Sequence, residues 1–146
     1  MKMLFVCTGN TCRSPMAEAI FNMLCANSGF NHTAFSRGLC VFMPQKTNSK
    51  AIAALKAMGI DDFSHTATMI SCEDIESADL VLTMTSEHKM SLKNAYPQYK
   101  QKIFNLNEKA YGKESDISDP YGLSQDDYNK CATQIKNALE SILCTE

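Results

Sequence analysis

Arginine is nearly absent from this sequence: of fourteen basic residues, only Arg13 and Arg37 are arginine and the other twelve are lysine. The formal net charge is −2, so there is no basic excess of the kind that marks a nucleic-acid partner, and none is expected. Since lysine serves as the ordinary surface cation here, each arginine calls for a specific job, such as gripping a planar oxyanion. Long apolar runs are also missing. No stretch approaches the roughly 20 residues that a membrane-spanning helix needs, so no membrane partner is expected. There is no C-x-x-C pair, and His32, His65 and His88 are scattered rather than spaced as ligands. Neither a metal nor a cofactor is therefore expected. Repeats, low-complexity tracts and linkers are lacking too, and residues 1–146 are expected to form one domain. Met1 to Val6 runs directly into an apolar segment with no leader pattern, which predicts a cytoplasmic protein with its seven cysteines reduced.

What is present is enough apolar material for one core, at 45% of residues. Short apolar runs alternate with longer periodic segments. Strands are predicted at Lys2–Cys7, Thr33–Ser36, Leu80–Met84 and Lys102–Leu106. Helices are predicted at Pro15–Ala26, closed by Gly29, at Ser49–Met58, Cys72–Ser77 and Ser86–Ala95, and at Tyr128–Leu143. This alternation implies right-handed crossovers and an α/β, single-domain, three-layer fold with a central four-stranded parallel sheet flanked by helices. In such sheets ligands bind beyond the carboxyl ends of the strands, which points to Cys7.

The segment after that strand, Cys7-Thr8-Gly9-Asn10-Thr11-Cys12-Arg13-Ser14, has the composition of an anion cradle. Backbone N–H groups of a tight loop can converge on one oxyanion, and the following helix N-terminus adds positive potential. Gly9 and Asn10 are expected to supply left-handed backbone. Arg13 offers a planar fork for two phosphoryl oxygens. The same field favours a thiolate, the form in which cysteine is a nucleophile. The bare C-x5-R spacing is not specific. Its place between a buried strand and a helix is what turns Cys7 from an inert core cysteine into a candidate nucleophile. Phosphoryl transfer also needs a proton donor for the leaving group. Asp119, in the turn Asp119-Pro120-Tyr121-Gly122, is the best placed. Asp116, Asp126 and Asp127 are read as solvated turn residues.

FVCTGNTCRSPMAE, followed by SADLVLTM and by DPYG, resembles the low-molecular-weight protein tyrosine phosphatase family over essentially the whole chain. The resemblance implies a hydrolase that dephosphorylates proteins through a phosphocysteine on Cys7. Arg13 would bind the phosphoryl group and Asp119 would act first as acid, then as base for the attacking water. It further implies that Ser14 assists Cys7 as leaving group. Asn10 would be held strained by Ser14, Ser36 and His65, and Cys12 would be a reversible redox partner of Cys7. Phosphorylated proteins or peptides would be the partners and inorganic phosphate a product of a monomeric enzyme. The substrate rim would comprise Thr11, Leu39, Cys40 and Tyr121. The chain departs from the family pattern at Arg37, read as a surface residue, at Thr68, where a basic residue is usual, and at Gly122, where a second tyrosine is common.

Thr11 bears on the substrate. Tyrosine-directed members commonly carry Ile or Leu there, an apolar contact for a phenyl ring. Threonine, with Thr8 and with Gly after DPY, resembles the bacterial protein arginine phosphatases. A hydroxyl can accept a hydrogen bond from the guanidinium of phosphoarginine, which an aliphatic side chain leaves unsatisfied. Phosphoarginine is thus the favoured substrate and phosphotyrosine the alternative. An arsenate reductase on the same fold is a remote alternative, because it would need relay cysteines that Leu80–Leu92 lacks. A phosphocysteine carrier would require neither Arg13 nor Asp119, and a non-catalytic phosphopeptide module would not need the nucleophile.

Overall fold

The computed structural model describes residues 1–145. Its four parallel strands are β1 (Lys2–Cys7), β2 (Thr33–Gly38), β3 (Leu80–Thr83) and β4 (Ile103–Asn105), hydrogen-bonded in the order β2-β1-β3-β4. The helices are α1 (Arg13–Ser28), α2 (Ser49–Ala57), α3 (Cys72–Ser77), α4 (Ser86–Ala95), α5 (Leu106–Tyr111) and α6 (Gln125–Cys144), with a 3-10 turn at Pro97–Lys102. This is the three-layer α/β architecture that the sequence predicts.

Strand alternation sorts the core into two halves. Met3, Phe5 and Cys7 of β1 join Leu82 under α1, α2 and α6, among Met16, Ile20, Leu55, Ile135 and Leu139. Leu4 and Val6 face the other way and meet Val81 and Ile103 under Ile75 of α3 and Leu92 of α4. Both faces are covered, which is why the β1 and β3 sequences are continuous apolar runs. From β1 the chain passes to β2 on one side and later to β3 on the other. The direction of winding therefore reverses at the carboxyl ends of β1 and β3, where a crevice opens.

Several boundaries differ from the sequence expectation. α1 starts at Arg13, two residues before Pro15, because Pro15 sits within its first turn, where the missing N–H costs nothing. It ends on Gly29 in the left-handed region, φ 73°. Leu106 begins α5 rather than ending a strand, since Asn105 and Glu108 form a capping box there. Lys102 belongs to the 3-10 turn. α6 begins at Gln125, three residues early, on a second capping box between Ser124 and Asp127. Asp126 and Asp127 are thus first-turn helix residues, which the helix dipole favours, and not loop residues. Among the described residues no helix is long and apolar enough to cross a membrane.

Candidate active site

Cys7 is the last residue of β1, and its side chain turns toward the α1 face, under the loop that leads into that helix. The thiol is 2% exposed. Two groups address it: the Ser14 hydroxyl, 2.9 Å away, and the Asn10 backbone N–H, which donates to Sγ at 3.3 Å. α1 begins behind the loop with no side-chain cap on its first turn and no acidic residue there, so its open N–H groups and positive end face the same space. The three helices α3, α5 and α6 close their N-termini with capping boxes instead.

The loop is held in its curl by Asn10, the one non-glycine residue with positive φ (57°) among the described residues. Asn10 is fully buried and saturated. Its Nδ2 donates to Ser14 Oγ at 2.9 Å and Ser36 Oγ at 3.0 Å, and its Oδ1 accepts from Thr68 N at 3.0 Å and meets His65 Nε2 at 2.8 Å. Ser36, His65 and Ser14 thus converge on one side chain. Glu18 extends the cluster, accepting from Ser36 Oγ at 2.7 Å and lying 3.7 Å from His65 Nδ1. Burial raises the Glu18 carboxyl, and burial followed by the Arg37 charge lowers His65. Gly9 does not take left-handed backbone, contrary to expectation, and a Cβ there would meet only Thr11 Oγ1 at 3.8 Å. The glycine that close approach demands is Gly38. A Cβ there would come within 2.8 Å of Thr8 O and 2.6 Å of a Val41 methyl.

Arg13 is 5% exposed. Its Nη1 donates to Ile117 O at 2.9 Å, and Ile117 N in turn donates to Met84 O at 2.9 Å, which ties the 113–119 segment to the end of β3. Arg13 Nη2 lies 3.6 Å from Asp119 Oδ2, while Arg13 Nε is buried without a protein partner. Asp119 is about half exposed, and its Oδ1 accepts from Tyr121 N at 3.1 Å and from the Cys12 thiol at 3.8 Å. Burial, then the Cys7 and Asp119 charges, push the Cys12 thiol up to about 12. Asp116 accepts from Ser86 N at 2.9 Å instead of facing the loop.

Thiol, carboxylate, guanidinium and an uncapped helix end therefore meet at one strand end. The low-molecular-weight phosphotyrosine protein phosphatase family model matches residues 2–146. The chain belongs to that family. Among its relatives, the protein-arginine-phosphatase of Bacillus subtilis (strain 168) is 37% identical over 142 residues, 97% of this chain and 94% of that protein. A low-molecular-weight protein tyrosine phosphatase from T. tengcongensis is 41% identical and superposes with a TM-score of 0.95, covering 100% of this chain and 99% of that one. The YwlE arginine phosphatase, solved as a cysteine-to-serine mutant with a phosphorylated active-site serine, is 36% identical with a TM-score of 0.95, covering 99% and 95%. These relatives are protein phosphatases, hence hydrolases.

In this low-molecular-weight phosphatase the rim residues expected from sequence sit in different settings. Thr11 is half-buried and its carbonyl accepts from Asn48 N at 2.8 Å, anchoring the start of α2. Cys40 is exposed and its N–H donates to Thr8 O at 3.0 Å. Leu39 is half-buried: its side chain packs against the Leu4–Val6 cluster, and its N–H donates to Cys7 O at 3.0 Å. Tyr121 is 71% exposed. Arg37 is not a free surface residue either, since it pairs with Asp74 at 3.0 Å and lies 5.0 Å over the Phe35 ring. The sequence reading missed Glu18, which lies 18 residues from Ser36, and His88 of α4, whose Nε2 lies 2.8 Å from Thr8 Oγ1. Glu18 closes the FVCTGNTCRSPMAE stretch, whereas no local motif signals His88.

Proposed function

We propose that this chain is a cysteine-dependent protein phosphatase whose favoured substrate is protein phosphoarginine. The observation that carries the reading is Cys7, whose thiol lies under the Asn10 N–H and beside the Ser14 hydroxyl, in a loop that also carries Arg13 with a buried, unpaired Nε. A phosphoryl group seated there would accept from the loop N–H groups and from Arg13, whose Nε and second nitrogen form a fork matching two oxygens. The Cys7 thiolate attacks phosphorus, the S–P bond forms, and the bond to the guanidine nitrogen breaks as Asp119 gives that nitrogen its proton. Asp119 then takes a proton from water, whose oxygen attacks phosphorus. The S–P bond breaks, inorganic phosphate leaves, and the Ser14 hydroxyl stabilises the returning thiolate.

The preference for phosphoarginine rests on Thr11, a hydroxyl in the loop where a phenyl ring would gain from an aliphatic contact, and on similarity to proteins named arginine phosphatases. Residues 1–146 would act as one domain and a monomer in the cytoplasm, on phosphorylated proteins and with no cofactor. The test is turnover of phosphoarginine and phosphotyrosine peptides by wild type, Cys7→Ser and Asp119→Ala. Cys7→Ser should lose turnover by several orders of magnitude yet keep its fold and bind phosphate. Asp119→Ala should slow both substrates, because neither a guanidine nor a phenolate leaves well unprotonated. Substantial turnover by Cys7→Ser would refute the phosphocysteine route.

A further inference from the structure

Cys7 ends β1, and Thr8, the next residue, opens the loop beside the first turn of α4. There Thr8 Oγ1 meets His88 Nε2 at 2.8 Å. His88 is 6% exposed, and its backbone is fixed by the Thr85 hydroxyl that caps α4, which accepts from His88 N at 3.1 Å. Its other ring nitrogen, Nδ1, is buried with no partner in the protein.

That orphaned nitrogen selects the tautomer. A proton on Nδ1 would bury an unsatisfied N–H, which folded proteins tolerate less readily than an unpaired acceptor. With the proton on Nε2, His88 donates to Thr8 Oγ1 and leaves only a bare lone pair behind. The Thr8 oxygen then accepts, and its own hydrogen is free to be donated outward. Thr8 is an exposed loop residue adjacent to Cys7, so a phosphoryl group seated in the loop is the acceptor at hand. Double protonation is opposed: burial, then the Arg13 charge, push His88 down to about 4 against the opposing pull of Asp116 and Asp119.

We propose that His88 is a positioning residue for the phosphatase reaction, donating from Nε2 to Thr8 so that the Thr8 hydroxyl hydrogen is aimed at a phosphoryl oxygen in the loop. The inference rests on the phosphatase reading above.

The test is a double-mutant cycle with Thr8→Val and His88→Ala, read as kcat/KM on a phosphopeptide alongside melting temperature. Each single variant should lose about three- to tenfold, the scale of one hydrogen bond. The double variant should lose no more than Thr8→Val alone. His88→Gln, whose amide N–H can reach the Thr8 oxygen, should recover most of the activity, whereas the shorter His88→Asn should not. That last contrast decides the matter if His88→Ala fails to fold. Losses that multiply in the double variant, a His88→Ala enzyme that matches wild type, or equal activity of the Gln and Asn variants would overturn the proposal. An inactive wild type would instead count against the phosphatase reading itself.

Discussion

Asn10 Oδ1 lies 2.8 Å from His65 Nε2, a contact between residues 55 apart in sequence that fixes the backbone of the loop beneath which Cys7 sits. A left-handed conformation at a residue with a Cβ costs about 1–2 kcal/mol. Here the side chain's four hydrogen bonds offset that cost. Asn10→Ala should therefore destabilise the fold by about 2–4 kcal/mol, from lost buried partners and backbone strain together. Asn10→Gly should recover roughly 1 kcal/mol of this, since glycine accepts the positive φ. Both should weaken phosphate binding. Denaturant unfolding and phosphate titration of the pair check this, and equal stability of the Ala and Gly variants would contradict the strain account.

Two histidines should make the protein acid-sensitive. His88 and His65 both have folded pKa values below the ordinary value of about 6.5, in each case mainly through burial. A folded state that resists protonation loses stability as pH falls through the unfolded value, and the loss levels off below the folded one. For His88 the window runs from about 6.5 down to about 4, worth on the order of 3 kcal/mol at about 1.4 kcal/mol per pH unit. Glu18, raised by burial, acts in the opposite sense and offsets part of the loss as it takes up its proton. Unfolding free energy measured from pH 7 to pH 4 should fall for wild type and fall less steeply for His88→Gln.

Cys12 and Cys7 are both free thiols, and Cys12 is protonated near neutrality because its pKa is pushed up to about 12. Disulfide formation after peroxide oxidises Cys7 to a sulfenic acid needs the Cys12 thiolate. Oxidation of Cys7 removes one of the charges that raise Cys12, but burial, the largest cause, remains. Peroxide inactivation reversed by thiols should then show a pairing step that speeds up about tenfold per pH unit from pH 7 to 9. Mass mapping of trapped samples checks it. Irreversible over-oxidation of Cys7 with Cys12 still free at every pH would contradict the pairing.

The sheet was legible because Met3–Cys7 of β1 and Leu80–Leu82 of β3 are buried on both faces and so read as unbroken apolar runs. The Cys7–Ser14 loop was legible because its residues are contiguous. α5 was overlooked because six residues carry too little periodicity, although its Asn105–Glu108 cap is a sequence signal, as is the Ser124–Asp127 cap that begins α6. His88 could not be found that way, since Thr8 lies 80 residues from it and only the folded sheet brings α4 to the end of β1. Gly9 was misjudged because glycine permits a left-handed backbone without requiring one, and the loop places that conformation on Asn10 alone.

The measurement that tests the central claim most directly is the ratio of kcat/KM for phosphoarginine and phosphotyrosine peptides in wild type and in Thr11→Ile. The substitution removes a polar partner for the guanidinium and adds apolar surface for a ring. A buried unsatisfied donor costs about 1–3 kcal/mol, or roughly ten- to a hundredfold in rate constant. Wild type should favour phosphoarginine, and Thr11→Ile should shift the ratio toward phosphotyrosine by about that factor. A wild type that ignores phosphoarginine, or a ratio that Thr11→Ile leaves unmoved, would contradict the arginine assignment and leave a tyrosine phosphatase in its place.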